Sequence, residues 1–145
     1  MKPAHELRVR LQATKRVTPA QVKALFRAAG WDEDIAHYSA AQIQKLLRHS
    51  YLVLTAWTEK KELVGLASAV SDGTLCGLVQ NLVIHPGYRR HGLGTKLLRQ
   101  LARTMGRHGI SCLYALGTRG KKARAFFRRV GFHSLDWKVF LRHVR

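Results

Sequence analysis

The sequence predicts an α+β fold: a central mixed, mostly antiparallel sheet flanked by helices, in the order β-α-α-β-β-β-α-β-α-β. Three observations carry that expectation. Strand-like runs at residues 51–57, 63–70 and 75–84 follow one another across short turns, which suggests an antiparallel meander. The apolar pattern then changes to a period of 3.6 residues over 97–105. A short apolar run at 110–116 follows that helix, and a helix joining two strands usually crosses over to a parallel neighbour. With 145 residues and no repeat, low-complexity tract or linker, the chain reads as one domain spanning residues 1–145.

Each element has its own signal. Leu7, Val9 and Leu11 alternate with Arg8, Arg10 and Gln12, which predicts a first strand. Thr18 followed by Pro19 opens a helix whose inward face is Val22, Leu25, Phe26 and Ala29, and Gly30 ends it. Ser39 and Gln42 form a capping box for a second helix with Ile43, Leu46 and Leu47 turned inward. Between them, Gly30-Trp-Asp-Glu-Asp34 holds three of the eight acids. Asp72-Gly73 is a turn dipeptide between the second and third strands of the meander. The crossover helix presents Leu97, Leu98, Leu101, Ala102 and Met105. Ala123, Phe126, Phe127 and Val130 mark a last helix stopped by Gly131, and residues 132–141 are expected to supply one or two final strands.

Composition narrows the function classes. A hydrophobic content of 46% is that of a globular chain. No stretch approaches the ~20 apolar residues of a membrane span, so no membrane partner is expected. The first residues are basic and poor in acids, as in a transit peptide, but they lack a signal-peptide apolar core and alternate like a strand. A cytoplasmic protein is expected. Cys76 and Cys112 show no paired spacing and are expected to be reduced core residues. The eight histidines have no ligand spacing, so no metal is expected.

Charge is the unusual feature. The formal net charge is +18, and it is uneven. From Pro86 onward there are 15 Lys or Arg and one acid, Asp136; before it there are 11 basic residues and seven acids. Such a half should attract nucleotides, phosphorylated cofactors, nucleic acid or an acidic protein partner.

Where the meander meets the crossover helix stands Val83-Ile-His-Pro-Gly-Tyr-Arg-Arg-His-Gly-Leu-Gly-Thr95. A helix start leaves backbone N–H groups unpaired and carries partial positive charge. Gly92 and Gly94 would let a bulky anion approach the backbone, and Arg89 and Arg90 add charge. A pyrophosphate fits. A tight strand-to-helix turn on a basic surface is the plainer alternative. The pattern is neither a dinucleotide fingerprint nor a P-loop, for it lacks the third glycine and the lysine.

Arg89-Arg-His-Gly92-Leu-Gly94, preceded by Val83-Ile-His-Pro86, resembles the acyl-CoA signature of the GCN5-related N-acetyltransferases. Ala123-Arg-Ala-Phe-Phe-Arg-Arg-Val-Gly-Phe132 is similar to a second segment of that family. Leu63-Val-Gly65 and Ser71-Asp72 are similar to its small bacterial and plastid-type members. The resemblance implies transfer of an acetyl group from acetyl-CoA to an amine. It further implies that main-chain groups of Leu82, Val83 and Ile84 bind pantetheine between splayed strands. The N–H groups of Arg89, Arg90, His91, Gly92, Leu93, Gly94 and Thr95 would hold the pyrophosphate, with Phe126 and Phe127 along the other side.

The chemistry asks for a group to take the amine proton and one to return a proton to the thiolate. Many family members carry a carboxylate on the fourth strand and a tyrosine in the last helix; here Val79-Gln-Asn-Leu82 has no carboxylate and the tyrosine position is Phe127. The candidates left are Asp72, whose plainer role is forming its turn, and Tyr114, whose facing the alternation leaves open. His85 is of the residue type suited to proton transfer near neutral pH, but it stands just before Pro86, where a side chain more often faces solvent. Trp31, Asp32, Glu33, Asp34 and Tyr38 are candidates for an acceptor site, where acids would suit a cationic amine. Three functions follow: an N-acetyltransferase for a small-molecule or peptide amine; an acyl-CoA sensor or structural subunit with little catalysis; and an acetyltransferase docked on nucleic acid or ribosomes through Lys96, Arg99, Arg103 and Arg107 and through Lys121, Arg124 and Arg128. A homodimer is compatible with each.

Overall fold

Thr18 and Ser39 open two helices with complete capping boxes. The Thr18 hydroxyl accepts the Gln21 N–H at 3.2 Å while Gln21 Oε1 accepts the Thr18 N–H at 3.0 Å. Ser39 and Gln42 repeat the exchange at 3.2 and 2.8 Å, so donors that a helix start leaves open are satisfied. The resulting helices are α1 (Pro19–Ala28) and α3 (Ala40–His49), with a short α2 (Asp32–Ile35) between them that the sequence pattern did not announce. The computed structural model describes residues 8–117 and 120–144, without the Asp34 side chain. Leu7 of the expected first strand and the Asp34 carboxylate lie outside the described residues.

The sheet runs β1 (Val9–Ala13), β2 (Leu52–Thr58), β3 (Leu63–Ser71), β4 (Cys76–Ile84) and β5 (Cys112–Ala115), adjacent in that order. The first four are antiparallel neighbours, and β5 is parallel to β4 through the crossover helix α4 (Leu93–Arg107). A mixed, mostly antiparallel sheet is the expected one. Its two faces bury different side chains, because alternate strand residues point to opposite sides. Leu54, Ala56, Ala67 and Val79 pack under α4 with Leu97, Leu98, Leu101 and Met105. Val53, Leu66 and Val83 pack on the other side under Val22, Leu25 and Phe26 of α1 and Ile43 and Leu47 of α3. Helix α5 (Lys121–Arg129) lays Phe126 and Phe127 half-buried against the α4 side.

Three expectations change. Leu46 is 38% exposed, so the buried stripe of α3 is Ile43 and Leu47. Cys112 is exposed and Cys76 half-buried, and the two are register partners on neighbouring strands instead of separate core residues. The last expected strand is not formed among the described residues, since residues 133–144 are irregular. Leu135, Trp137, Val139 and Leu141 do alternate, but they stand exposed and no ladder holds them; an extended segment without a partner strand lacks the hydrogen bonds that would fix it.

Candidate active site

The site is built where β4 outruns β5. Pairing joins Cys76–Val79 to Cys112–Ala115 and stops, whereas β4 continues to Ile84. Beyond Val79 no strand among the described residues pairs with the β5 side of β4. The direction of each peptide group follows from the ladder: the His85 N–H donates to Val64 O of β3 at 2.9 Å. Neighbouring residues point oppositely, so the N–H and C=O groups of Ile84 and Leu82 face the open side. Val83, in contrast, directs its backbone to β3, and its side chain is 1% exposed. Of the three expected pantetheine-binding residues, two therefore offer main-chain groups to the gap.

A bulge marks the inner end of this gap. Ser68 pairs with Asn81 but Ala69 pairs with Val79, so Gln80 is an extra residue in β4. Asn81 Nδ2 donates to the buried Ser68 Oγ at 2.9 Å. The bulge escaped the sequence reading; a run of polar Gln80-Asn81 inside an apolar strand was its one visible trace.

At the outer end the chain turns through a 3-10 segment (Pro86–Tyr88) into α4. His85 Nδ1 accepts the Gly87 N–H at 3.1 Å, so this ring serves the turn. Arg90 has φ 63° and Gly92 φ 74°. Glycine is the residue that adopts this left-handed backbone without strain, and Gly92 caps α4 with no side-chain donor or acceptor. The first helical bond runs from Lys96 N–H to Gly92 O at 2.9 Å. Among the described residues no protein acceptor meets the N–H groups of Gly92, Leu93, Gly94 and Thr95.

Gly94 tests whether this start is shaped for a ligand. It lies within α4 with ordinary helical φ, where glycine is about 1 kcal/mol poorer than alanine. A Cβ there would sit 3.6 Å from Ile84 and from Phe126, ordinary contact distances. Packing does not require glycine at 94. An anion seated close on the backbone would.

Arg89 takes a different part from the expected one. Its Nε donates to Ile84 O at 3.2 Å and its Nη2 to Ala29 O at 3.2 Å, so it braces the turn against the end of α1. Arg90 and His91 are exposed beside the helix start. Across the gap the Phe126 and Phe127 rings stand edge to face at 5.3 Å, and Phe127 closes on Gly117, where a Cβ would come to 3.1 Å. Phe127 carries no hydroxyl to donate.

The two candidate proton carriers part company. Asp72 lies in the β3–β4 turn, at the end of β4 away from α4, and its Oδ1 accepts the N–H groups of Thr74, Leu75 and Cys76 at 2.8, 2.8 and 3.3 Å. These donors hold its carboxyl below the usual range, the opposite of what a base poised near neutrality needs. Its structural work is the turn. Tyr114 pairs with Leu78, one residue before β4 and β5 part, and its ring lies 6.2 Å from that of Trp137. The neighbouring Cys112 side chain raises its phenol pKa.

On the acceptor side, Trp31 is 39% exposed and meets Phe26 edge to face at 5.9 Å. Asp32 is bound by Arg27 at 3.0 Å in an exposed pair, and Tyr38 is half open to solvent. Trp31 precedes α2 and Asp32 opens it, just past the Ala29 carbonyl that Arg89 holds, and Tyr38 follows α2. No cluster of metal-ligating side chains occurs among the described residues, and no helix there is long and apolar enough to cross a membrane.

Residues 19–132 match the profile of the Acetyltransferase (GNAT) family. A histone acetyltransferase of Glycine max is 25% identical over 123 residues, 78% of this chain and 51% of its own length. A chloroplastic GCN5-related N-acetyltransferase of Arabidopsis thaliana is 27% identical over 139 residues, 92% of this chain and 68% of its own length. The chain thus spans about half the length of the soybean relative. Among solved structures, a GNAT family acetyltransferase of Streptococcus pneumoniae has a TM-score of 0.75 at 23% identity, covering 94% of this chain and 98% of its own. An aminoglycoside acetyltransferase from an uncultured soil metagenomic sample, solved with sisomicin, has a TM-score of 0.76 at 18% identity, covering 94% and 96%. These structures share the fold.

Proposed function

The chain belongs to the acetyltransferase (GNAT) family, and from that premise we propose that it moves an acetyl group from acetyl-CoA to a primary amine, with residues 1–145 acting as one domain. The observation that carries the reading is the start of α4, where unpaired N–H groups surround a glycine that packing does not require. Helix donors and the helix dipole favour an anion there. Gly92, Leu93, Gly94 and Thr95 would hold the pyrophosphate through backbone N–H groups, with Arg90 and His91 adding charge at the rim. Leu82 and Ile84 would bind the pantetheine amides, and Phe126 and Phe127 would cover the opposite side.

Acetyl-CoA, when bound, supplies an activated acyl carbon and a thiolate leaving group. The Leu82 N–H, just past the bulge and facing the gap, would polarise the acyl oxygen. No carboxylate stands on this stretch of β4, and the Asn81 amide is engaged by Ser68, so water takes the amine proton. Tyr114, protonated at neutral pH like any phenol, would return a proton to the departing thiolate from the closed end of the gap, where it pairs with Leu78 one residue before the β4–β5 ladder ends. Trp31, Asp32 and Tyr38 would receive the amine. The acceptors named for the two relatives, a histone and an aminoglycoside, are both amines, which supports the class. A cytosolic location is part of this reading, since the two cysteines show no paired spacing of a disulfide framework.

Calorimetric titration with acetyl-CoA, followed by thiol-release assays over a panel of primary amines, tests this reading. Binding with turnover on at least one amine is expected; no heat and no ligand-dependent rise in melting temperature would overturn it. A second reading, an acyl-CoA-binding protein with little catalysis, is favoured by Asn81 and Phe127 standing where proton carriers are wanted. Tight binding without turnover on any amine would select it.

A further inference from the structure

Helices α4 and α5 lie on the same side of the sheet, since both pack side chains into the core cluster beneath it. Arg99 Nη2 donates to Arg129 O at 3.1 Å and ties them together. Their outward faces therefore form one surface. On α4, Lys96, Arg99, Arg103 and Arg107 are exposed at intervals of three and four residues, one row along the helix. On α5, Arg124 and Arg128 are exposed one turn apart.

An ordinary solvated helix face mixes both signs of charge. This one does not. The one acid after Pro86 is Asp136, in the tail. The two ion pairs among the described residues, Arg8–Glu59 and Arg27–Asp32, lie in the first half. The row also runs well past the start of α4 (Leu93): Arg103 and Arg107 stand about 15 and about 21 Å along the helix from it, at about 1.5 Å per residue.

The surface discriminates among polyanions. A protein partner would need apolar or aromatic anchors at the centre of the patch, and a single strand would need aromatic faces on which to stack bases. The exposed large apolar side chains of the described residues all lie outside α4 and α5. What the two helices present is charge alone, at regular spacing. We propose that this α4–α5 face docks on the phosphate backbone of duplex nucleic acid without reading its bases, independently of acetyl-CoA binding.

The test is fluorescence anisotropy of the full chain with a DNA duplex and an RNA duplex of the same sequence, across a salt series. Binding should weaken with a log–log slope of about −4 to −5, as for four to six neutralised phosphates. Arg103→Glu with Arg107→Glu should make the slope shallower by about 2 and weaken binding about 30-fold or more. Arg128→Glu should add to the loss. The acetyl-CoA-dependent melting shift should survive in each variant, which shows that the fold is intact. Binding of either duplex in this way supports the proposal, and a preference between them identifies the source. No binding at low salt, wild-type affinity in the double variant, or equal binding of poly-glutamate or of a single strand would overturn it.

Discussion

Asn81 Nδ2 reaches across from β4 to Ser68 Oγ on β3, at 2.9 Å, one residue beyond the Gln80 bulge. The bond satisfies a fully buried hydroxyl, so it belongs to the frame of the site. Asn81→Ala should cost about 1–3 kcal/mol in urea unfolding, the penalty of an unpaired buried polar group. Its kcat should fall less than the ~100-fold expected on losing a dedicated base. A fall of that size at unchanged stability would assign Asn81 to the chemistry itself.

Gly94→Ala separates folding from binding. The free protein should melt higher, because alanine favours the helix by about 1 kcal/mol and the Cβ meets ordinary contacts. The same Cβ should reduce the stabilisation by acetyl-CoA about tenfold or more in Kd, by crowding the phosphate seat. Gly92→Ala should do the reverse to the free protein and lower its melting temperature, since it must hold φ near 74°. Differential scanning fluorimetry with and without ligand reads both.

With water as proton acceptor, the rate should climb with pH toward the acceptor amine's own pKa. The Tyr114 phenol, whose pKa is raised, should impose no descending limb within the neutral range. Tyr114→Phe should lower kcat about 10- to 100-fold with little change in KM. An unchanged kcat would remove Tyr114 from proton return. Phe127→Tyr should be tolerated, because the ring already borders the gap.

Asp72 should report on stability. Its folded pKa lies below the ordinary 3.8, so its contribution is present above that value and fades as pH falls through the folded pKa. Asp72→Ala should therefore melt lower than the wild type at neutral pH, and the difference should shrink in acid below pH 3.8. Asp72→Asn keeps an acceptor oxygen but not the charge, so it should give up part of this stability at neutral pH while retaining turnover. A ~100-fold loss of kcat in Asp72→Asn would mean that it acts as a base after all.

What could be read from the sequence was what local chemistry decides. Thr18 with Gln21 and Ser39 with Gln42 announce their helices because each box closes within four residues. The crossover to β5 followed from one helix between two apolar runs, and Gly92 and Gly94 marked the start of α4, whose first N–H groups meet no protein acceptor among the described residues. The bulge at Gln80 was hidden, because it is a mismatch in the count of residues between two strands. The use of Arg89 was hidden too: its partner Ala29 is 60 residues away, and a basic side chain beside a glycine-rich turn suggests phosphate before it suggests a carbonyl. Residues 132–141 misled for the same reason, as their alternation is local while the ladder that would hold them is not.

Arg89 bonds to the last carbonyl of β4 and to a carbonyl at the end of α1, and so pins the turn before the proposed anion seat to the segment that carries Trp31 and Asp32. Whatever tightens one end restrains the other, and such a linkage works equally in both directions. Occupancy of the seat would then raise affinity at the far end by the same factor that the acceptor raises affinity for the cofactor. Two ligands bound as proposed would sense each other through a single guanidinium, and cutting it would leave both to bind as strangers.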